Sequence, residues 1–328
     1  MPADIEIIQA SKGQLIGSGR VAQTLMANNF NVNGLRTLDV LRKDEWKLLD
    51  NVLIDVARNR LVAVQELVSR GLTYNIPNGL GTTILEWEQV TDMTPAEVSM
   101  SGVREGANDT RDFTLKSMPL PIIHKDFNIN IRKLEASRKS GQPLDVAQAT
   151  LAATLVTESV ESMVFLGHAT REGNARIYGL TTEPNRNTGS VTANWATATG
   201  AQILTDVLAM VDKAYTDNMY GPFGIFIPYN AYVHMGEDYK AAVGGTIMDR
   251  VLAVPSIAFV KPTKDLATSH VVMVQLTADV IDEVMGLQPT MVQWESNGGM
   301  TVNFKVMAIM IPRIRSTVTT QSGVAHYS

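Results

Sequence analysis

QPLDVAQATLAATLVTESVESMVFL, residues 142–166, is the stretch whose reading decides the fold. It reads as one long helix. Pro143 suits the first helical position, where its missing N–H would have no partner in any case. Asp145 falls in the first turn, where negative charge favours the helix N-terminus. Ala147, Ala149, Ala152 and Ala153 are strong helix formers, and Gly167 is a natural stop. At the helical rise the rod is roughly 35 Å long. Gln148, Glu158 and Glu161 interrupt it, and the uncharged run from Val146 to Thr157 is too short to cross a bilayer. No window in the chain is expected to span a membrane.

Upstream, HKDFNINIR (His124–Arg132) alternates, with Phe127, Ile129 and Ile131 on one face and Asp126, Asn128 and Asn130 on the other. That period marks a strand. Pro119 and Pro121 precede it, and the charged connection KLEASRKSGQP leads from it into the helix. Residues 75–118 read as a long two-stranded extension. In TTILEWEQV (Thr82–Val90), Ile84, Glu86 and Glu88 fall on one side and Leu85, Trp87 and Gln89 on the other. The tip holds Pro95, Ser99, Gly102, Gly106 and Asn108, and the chain returns through RDFTLKS (Arg111–Ser117). An isolated hairpin is marginal in water, so it needs support from its own domain or from another chain. Further upstream, Trp46, Leu49, Leu53, Val56, Val64 and Leu67 recur at helical spacing. They predict a helix from about Asp44, its cap, to Arg70, bending near Asn59 and ending at Gly71. Residues 1–36 form an arm rich in Asn28, Asn29, Asn31, Asn33 and Gly34. Its support is expected from its own domain or from neighbouring subunits, with no segment cut from its front.

Downstream, GHATREGNARIYGLTTEP (Gly167–Pro184) is a turn-rich crossing, and residues 185–200 read as an exposed loop. Ile203, Val207, Leu208, Val211 and Ala214 predict a helix over 200–218. FGIFIP (Phe223–Pro228), Ile257–Lys261 and Val271–Leu276 read as strands, and Tyr229–Tyr239 and Thr246–Val254 as helices. Alternating strands and helices imply an α/β domain. The chain closes with PTMVQWE, the turn Ser296-Asn297-Gly298-Gly299 and MTVNFKVMAIMIPRIRS, a strong hairpin signal.

The totals exclude several functions. Of 328 residues, 45% are hydrophobic and 19% charged, which suits an ordinary globular chain of about two domains. With no cysteine there is neither a disulfide nor a thiolate metal site. A net charge of −5 without a basic run argues against direct reading of DNA. The first residues lack the basic and apolar regions of a secretory signal. His124, His168, His234, His270 and His326 are scattered, with no pair at helix-face spacing for a metal. His168 and Glu172 stand four apart, but Gly167 and Gly173 oppose a helix there. GQLIGSGR (Gly13–Arg20) lacks the Lys-Ser/Thr ending of a phosphate loop. No Gly-x-Ser-x-Gly elbow is present, and the sixteen methionines read as core filler. We therefore expect no catalytic residues, no cofactor and no metal.

The order of parts resembles the major capsid proteins of tailed bacteriophages, whose fold encapsulin shells share, and the local sequence is also similar to the encapsulin-like branch. PLPIIHKDFNINIRKLEAS resembles the strand running into the spine helix. DVAQATLAATLVTESVESMVFLGHA, followed by YGL, resembles that helix with its acidic residue (Glu158 or Glu161) and its exit. PFGIFIPYNAY resembles a strand and helix of the axial domain, and TMVQWESNGGMTVNFKVMAIMIPRIR the closing strands. The resemblance covers about Trp46 to Ser316. It implies an α+β fold with an N-terminal arm (1–36) and a peripheral domain (37–74, 119–179 and 287–328, with spine helix 142–166). An extended loop (75–118) and an axial domain (180–286) complete it.

It further implies a structural protein, not an enzyme, that self-assembles as hexamers and pentamers into an icosahedral head around double-stranded DNA. Contact with DNA would be loose and non-specific. Scaffolding, cement or decoration, and portal proteins are the further partners such a family supplies, with no membrane. The place would be the virion, assembled in the bacterial host cytoplasm. Glu86, Trp87, Glu88, Arg104, Arg111 and Lys116 on the extension are the candidate subunit-interface residues. Some relatives weld neighbours by a Lys–Asn bond, but no motif singles out Lys116 and Asn303, and crosslinking is not expected. Two alternatives stay open: an encapsulin-type compartment enclosing a cargo enzyme, and a soluble α/β enzyme in which 142–166 is merely a core helix.

Overall fold

Glycine ends the long helix as the sequence requires. Gly167 has φ +70°, and a Cβ there would lie 2.5 Å from the Ile177 carbonyl oxygen. The chain leaves the helix by a turn that no other residue fits. The structure, a computed structural model, describes residues 9–10, 14–15, 43–90, 98, 100, 113–140, 146–172, 175–240, 244–297 and 300–328.

Its helices are α1 (Lys43–Arg60), α2 (Ala63–Ser69), α3 (Ile131–Ser140), α4 (Ala147–Leu166), α5 (Gly200–Thr216), α6 (Tyr229–His234) and α7 (Ile247–Leu252). Its strands are β1 (Gln9–Ala10), β2 (Gln14–Leu15), β3 (Thr73–Asn75), β4 (Ile84–Val90), β5 (Phe113–Pro119), β6 (Ile123–Asn130), β7 (His168–Glu172), β8 (Ala175–Ile177), β9 (Asn187–Gly189), β10 (Phe223–Pro228), β11 (Ile257–Thr263), β12 (Val271–Gln275), β13 (Ile281–Ser296), β14 (Thr301–Ile314) and β15 (Val324–Tyr327). They fall into two compact units. The first takes the described residues up to Thr83, Leu120–Val164 and Glu283–Ile311; the second takes Ile84–Pro119, Phe165–Asp282 and Pro312–Ser328.

The first unit holds a four-stranded sheet in the order β3-β13-β14-β6. β14 pairs antiparallel with β6, Phe304 opposite Phe127, and their rings stack with centroids 5.0 Å apart. β3 runs parallel to β13 through Thr73–Asn75 and Glu283–Met285. Ala149, Ala152, Ala153, Val156, Val160 and Val164 of α4 are buried, as are Leu49 and Leu53 of α1 and Val64 and Leu67 of α2.

The expected helix over 44–70 is two helices. The break at Leu61 and Val62 comes just after the expected bend near Asn59. Val62 has no side-chain cap of its own. Instead Glu161, buried in α4, accepts from Ala63 N at 2.7 Å and from Val64 N at 3.4 Å. A carboxylate set against a helix N-terminus satisfies orphan N–H groups and opposes the helix dipole. Asp44 does not cap the first helix; it lies inside α1. Gly71, with φ +74°, follows α2 as expected.

Three further expectations are corrected in this region. α4 begins at Ala147, so described helix runs for 20 residues, about 30 Å; Gln142, Pro143 and Asp145 lie outside the described residues. The connection after the strand is itself helical, α3, with Leu134 buried; Lys and Arg are good helix formers and hid it behind their charge. By length and composition α4 is apolar enough to cross a membrane, contrary to expectation, although 56% of its most apolar window is buried within the protein.

The second unit holds a five-stranded sheet in the order β11-β10-β12-β15-β9. β10 runs parallel to β11 and antiparallel to β12; β15 runs antiparallel to β12 and parallel to β9. Its core joins Trp195, Ile203, Val207, Met210, Phe223, Ile225, Ile227 and Tyr327. Thr199 and Gln202 close a capping box at the start of α5, and Thr246 and Asp249 another at α7. The stretch 185–200 is not an exposed loop. It contributes β9 and buries Trp195, whose indole N–H donates to Asp206 at 2.8 Å while Thr192 N donates to the same carboxylate at 3.0 Å. The end of the chain also departs from expectation. Val324–Tyr327 completes this sheet instead of accompanying residues 287–311.

Candidate functional site: the Ile84–Pro119 hairpin and the hollow at its root

β4 and β5 form a two-stranded ribbon whose register pairs Leu85 with Met118, Trp87 with Lys116, Gln89 with Thr114 and Glu88 with Leu115. Residues directly opposite share a face. One face therefore carries Leu85, Trp87, Gln89, Thr114, Lys116 and Met118, and the other Ile84, Glu86, Glu88, Phe113, Leu115 and Ser117. The first face turns inward at its root, where Leu85 and Met118 are buried, and Trp87 and Gln89 are half-buried, while Thr114 and Lys116 are exposed. The second turns outward and leaves Phe113 61% and Leu115 62% exposed.

The structure thus divides the predicted interface residues. Glu86 and Glu88 stand on the outer face, exposed. Trp87 and Lys116 face each other across the ribbon on the inner face, where the chain's own body meets them. Arg104 and Arg111 lie outside the described residues. Phe113 and Leu115 were not singled out, though the alternation in RDFTLKS puts both in phase on one side.

The inner face closes over a hollow of about 190 Å³ within the second unit. Trp87 and Lys116 line it from the hairpin, Arg176 and Tyr178 from β8 and beyond, Glu183 from the turn that follows, and Arg315 from the end of β14. Gln89 Nε2 donates to the Ser316 carbonyl oxygen, and Asn185 Nδ2 donates to Ser316 Oγ at 2.8 Å. Arg176 lies over the Tyr178 ring, 5.3 Å from its centroid.

Arg315, one of the lining residues, belongs to a cluster of charged groups. Asp282, buried, accepts from Arg313 Nε at 2.8 Å and from Arg315 Nη2 at 2.7 Å. Arg313 lies over the Trp87 ring at 6.0 Å from its centroid. Glu183 is buried, and burial pushes its carboxyl up to about 7, against the pull of the Lys116 ammonium, the Asn185 N–H and the Arg186 guanidinium. Arg186 donates from Nη1 to the Glu183 carbonyl oxygen at 2.8 Å and from Nε to His326 Nδ1 at 3.2 Å. His326 Nε2 stands 2.8 Å from His270 Nδ1. Because Nδ1 of His326 accepts from an arginine, its proton sits on Nε2 and points at His270. Burial, then His270 and Arg186, hold His326 down to about 4. The fold therefore joins two histidines that sequence spacing keeps apart. Among the described residues no group of three or more His, Asp or Glu is set to hold a metal ion.

Comparison with known proteins agrees with this architecture. A family model described as "Family of unknown function (DUF6260)" matches residues 33–327. The type 1 encapsulin shell protein EncA of Myxococcus xanthus (strain DK1622) is 29% identical over 203 residues, which are 61% of this chain and 65% of that protein. The chain thus spans just under two thirds of that relative's length. A crystal structure of a virus-like particle from Pyrococcus furiosus superposes with a TM-score of 0.63 at 17% identity, covering 86% of this chain and 99% of that one. The capsid of Myoviridae phage XM1 superposes with a TM-score of 0.58 at 11% identity, covering 79% of this chain and 90% of that one. The fold is the tailed-phage capsid fold that encapsulin shells share.

Proposed function

The chain belongs to the family of unknown function DUF6260 and carries the capsid fold, and we propose that it is a structural shell subunit that self-assembles as hexamers and pentamers. The first reading is an icosahedral phage head enclosing double-stranded DNA. The observation that carries self-assembly is the outer face of the hairpin. Among the described residues β4 and β5 pair only with each other, and an unpaired strand edge is a liability in a lone molecule. Here Phe113 and Leu115 stand more than half exposed beside it. A neighbouring copy laid on this face would stabilise the contact by roughly 1.5–3 kcal/mol for each large apolar side chain fully buried. Glu86 and Glu88 would set its register more than its strength, since exposed pairs contribute little. Symmetry repeats each such contact around the shell.

In this reading the unit with α4 and the four-stranded sheet is the peripheral domain, and the unit with the five-stranded sheet the axial domain. Residues 75–118 are the extended loop and 1–36 the arm. DNA is enclosed without being clamped, as a net charge of −5 allows. The place is the virion, filled in the bacterial cytoplasm with scaffolding, decoration and portal proteins as further partners. The second reading is an encapsulin-type compartment around a cargo enzyme, and the identity to the Myxococcus shell protein favours it.

Electron microscopy of the purified chain, with nuclease-protected nucleic acid assayed in particles from the native source, tests both. Closed shells with protected DNA support the head; closed shells with a co-purifying enzyme and no DNA support the compartment. A chain that stays monomeric or dimeric at high concentration, with Phe113 and Leu115 replaced by Ser without effect, refutes the shell.

A further inference from the structure

We propose that the hollow at the hairpin root is a binding site for a phosphate dianion, free or as the terminal group of a small monoester, held by Arg176 and Lys116. The inference goes beyond the shell reading and does not depend on it: every residue at the site belongs to the second unit.

Charge carries the first step. Lys116 on β5, Arg176 on β8 and Arg315 just past β14 bring cations to one hollow of about 190 Å³ from three separate strands, and Glu183 is the one acid among the lining residues. Beside Arg315 stands Asp282, buried, which pairs with both Arg315 and Arg313. Four cations thus meet two carboxyls, an excess of two positive charges even with both carboxyls ionised. Asp282 compensates Arg315, so the excess falls on Lys116 and Arg176, neither of which has an ion pair among the described residues.

Arg176 carries the second step. Its guanidinium lies over the Tyr178 ring, 5.3 Å from the centroid, and such stacking orients its plane. Its Nε–H is shielded from water and has no acceptor among the described residues. A buried donor left without an acceptor is costly, and an oxyanion in the hollow supplies one. A guanidinium edge presents two parallel N–H groups to two oxygens of a phosphate, and a lysine ammonium adds a point charge. β5 packs along β7 and β8, so the strands that carry Lys116 and Arg176 are held side by side before any anion arrives.

Shape and charge choose the anion. Cations arriving from separate walls suit a tetrahedral group, whose oxygens point several ways; a carboxylate presents both oxygens on one side. A phosphate monoester carries about −1.5 to −2 at neutral pH, which matches the excess. A polynucleotide backbone carries a single charge at each phosphate and continues on both sides of it, so it fits the hollow less well.

The test uses the full-length chain, purified without phosphate and held at about pH 7.5, where a phosphate monoester is close to a dianion. Inorganic phosphate and glycerol 2-phosphate are titrated separately by calorimetry and by thermal melting, with chloride at matched ionic strength as the blank. The expected result is saturable binding and a melting midpoint that rises with anion concentration. The tighter of the two identifies the free ion or the monoester as the ligand. Lys116→Gln and Arg176→Met should each weaken binding roughly tenfold or more, the loss of a charge-assisted hydrogen bond. Arg176→Lys keeps the charge without the fork and should fall between Arg176→Met and the parent. Lys305→Gln, which removes an ammonium of the first unit paired with Asp126 at 3.6 Å, should bind like the parent. Without phosphate, Arg176→Met should melt close to the parent, because it removes a donor that has no acceptor. A midpoint that phosphate raises no more than chloride does overturns the site. So does parent-like affinity in Arg176→Met or Lys116→Gln, or an Arg176→Met protein that melts far below the parent without phosphate, which would make Arg176 a structural group.

Discussion

Removing the Glu161 carboxylate should destabilise the first unit far more than removing Glu158, although both lie on the same helix three residues apart. Glu161 is 4% exposed and holds the first two N–H groups of α2, at 2.7 Å and 3.4 Å. Glu158 pairs with Arg60 at 3.4 Å, with side chains 25% and 52% exposed. For Glu161→Ala the loss has two parts. Hydrogen bonds from backbone N–H to a charged acceptor contribute about 1.5–3 kcal/mol, and an N-cap about 1 kcal/mol more where nothing replaces it. Val62 offers no substitute. The expected cost is therefore about 2–4 kcal/mol. Glu161→Gln keeps one acceptor oxygen and loses the charge facing the helix N-terminus, for a cost of about 1–2 kcal/mol. Glu158→Ala breaks a solvated pair and should cost under about 1 kcal/mol. Urea unfolding of the unassembled chain, followed by circular dichroism, measures all three. Hydrogen exchange at Ala63 and Val64 supplies the local readout, and both amides should lose protection in Glu161→Ala. Equal costs for Glu161→Ala and Glu158→Ala, or unchanged protection at those amides, would refute the reasoning.

Two further outcomes are expected. Asp282→Ala removes the carboxylate that pairs with Arg313, a buried guanidinium, and should lower unfolding stability by about 3–5 kcal/mol; adding Arg313→Met should restore part of that loss in the same urea titration. Gly79→Ala places a Cβ 2.4 Å from Gly286 Cα, backbone against backbone, and should lower the thermal midpoint by much more than Gly71→Ala, which meets open space and costs only its φ of +74°.

The order of parts was legible because it rests on local periodicity. The α4 helix, the alternating strand β6 and the closing pair β13 and β14 each announce themselves within a single window of sequence. What escaped was decided by distant partners. The break between α1 and α2 is stabilised by Glu161, 98 residues away from Ala63, so nothing near Leu61 signals it. Trp195 sits in a run of Asn, Thr, Ser and Gly that reads as loop. Only Asp206, on a helix that begins later, makes its burial favourable by accepting from the indole and from Thr192. Val324–Tyr327 is too short to be read as a strand until β12 and β9 stand on either side of it.

The hairpin shows the same limit at the candidate site, and there it changes the argument. Alternation separates Leu85, Trp87 and Gln89 from Ile84, Glu86 and Glu88, but it carries no sign: either face can be the one that turns inward. The sign comes from Leu85 and Met118, which are buried opposite one another. That choice commits Trp87 and Lys116 to the chain's own hollow and leaves Phe113 and Leu115, with Glu86 and Glu88, for a neighbour. A single ribbon then serves two contacts through opposite faces. Substitutions on the outer face should therefore weaken assembly while leaving the inner contacts with the chain's own body in place.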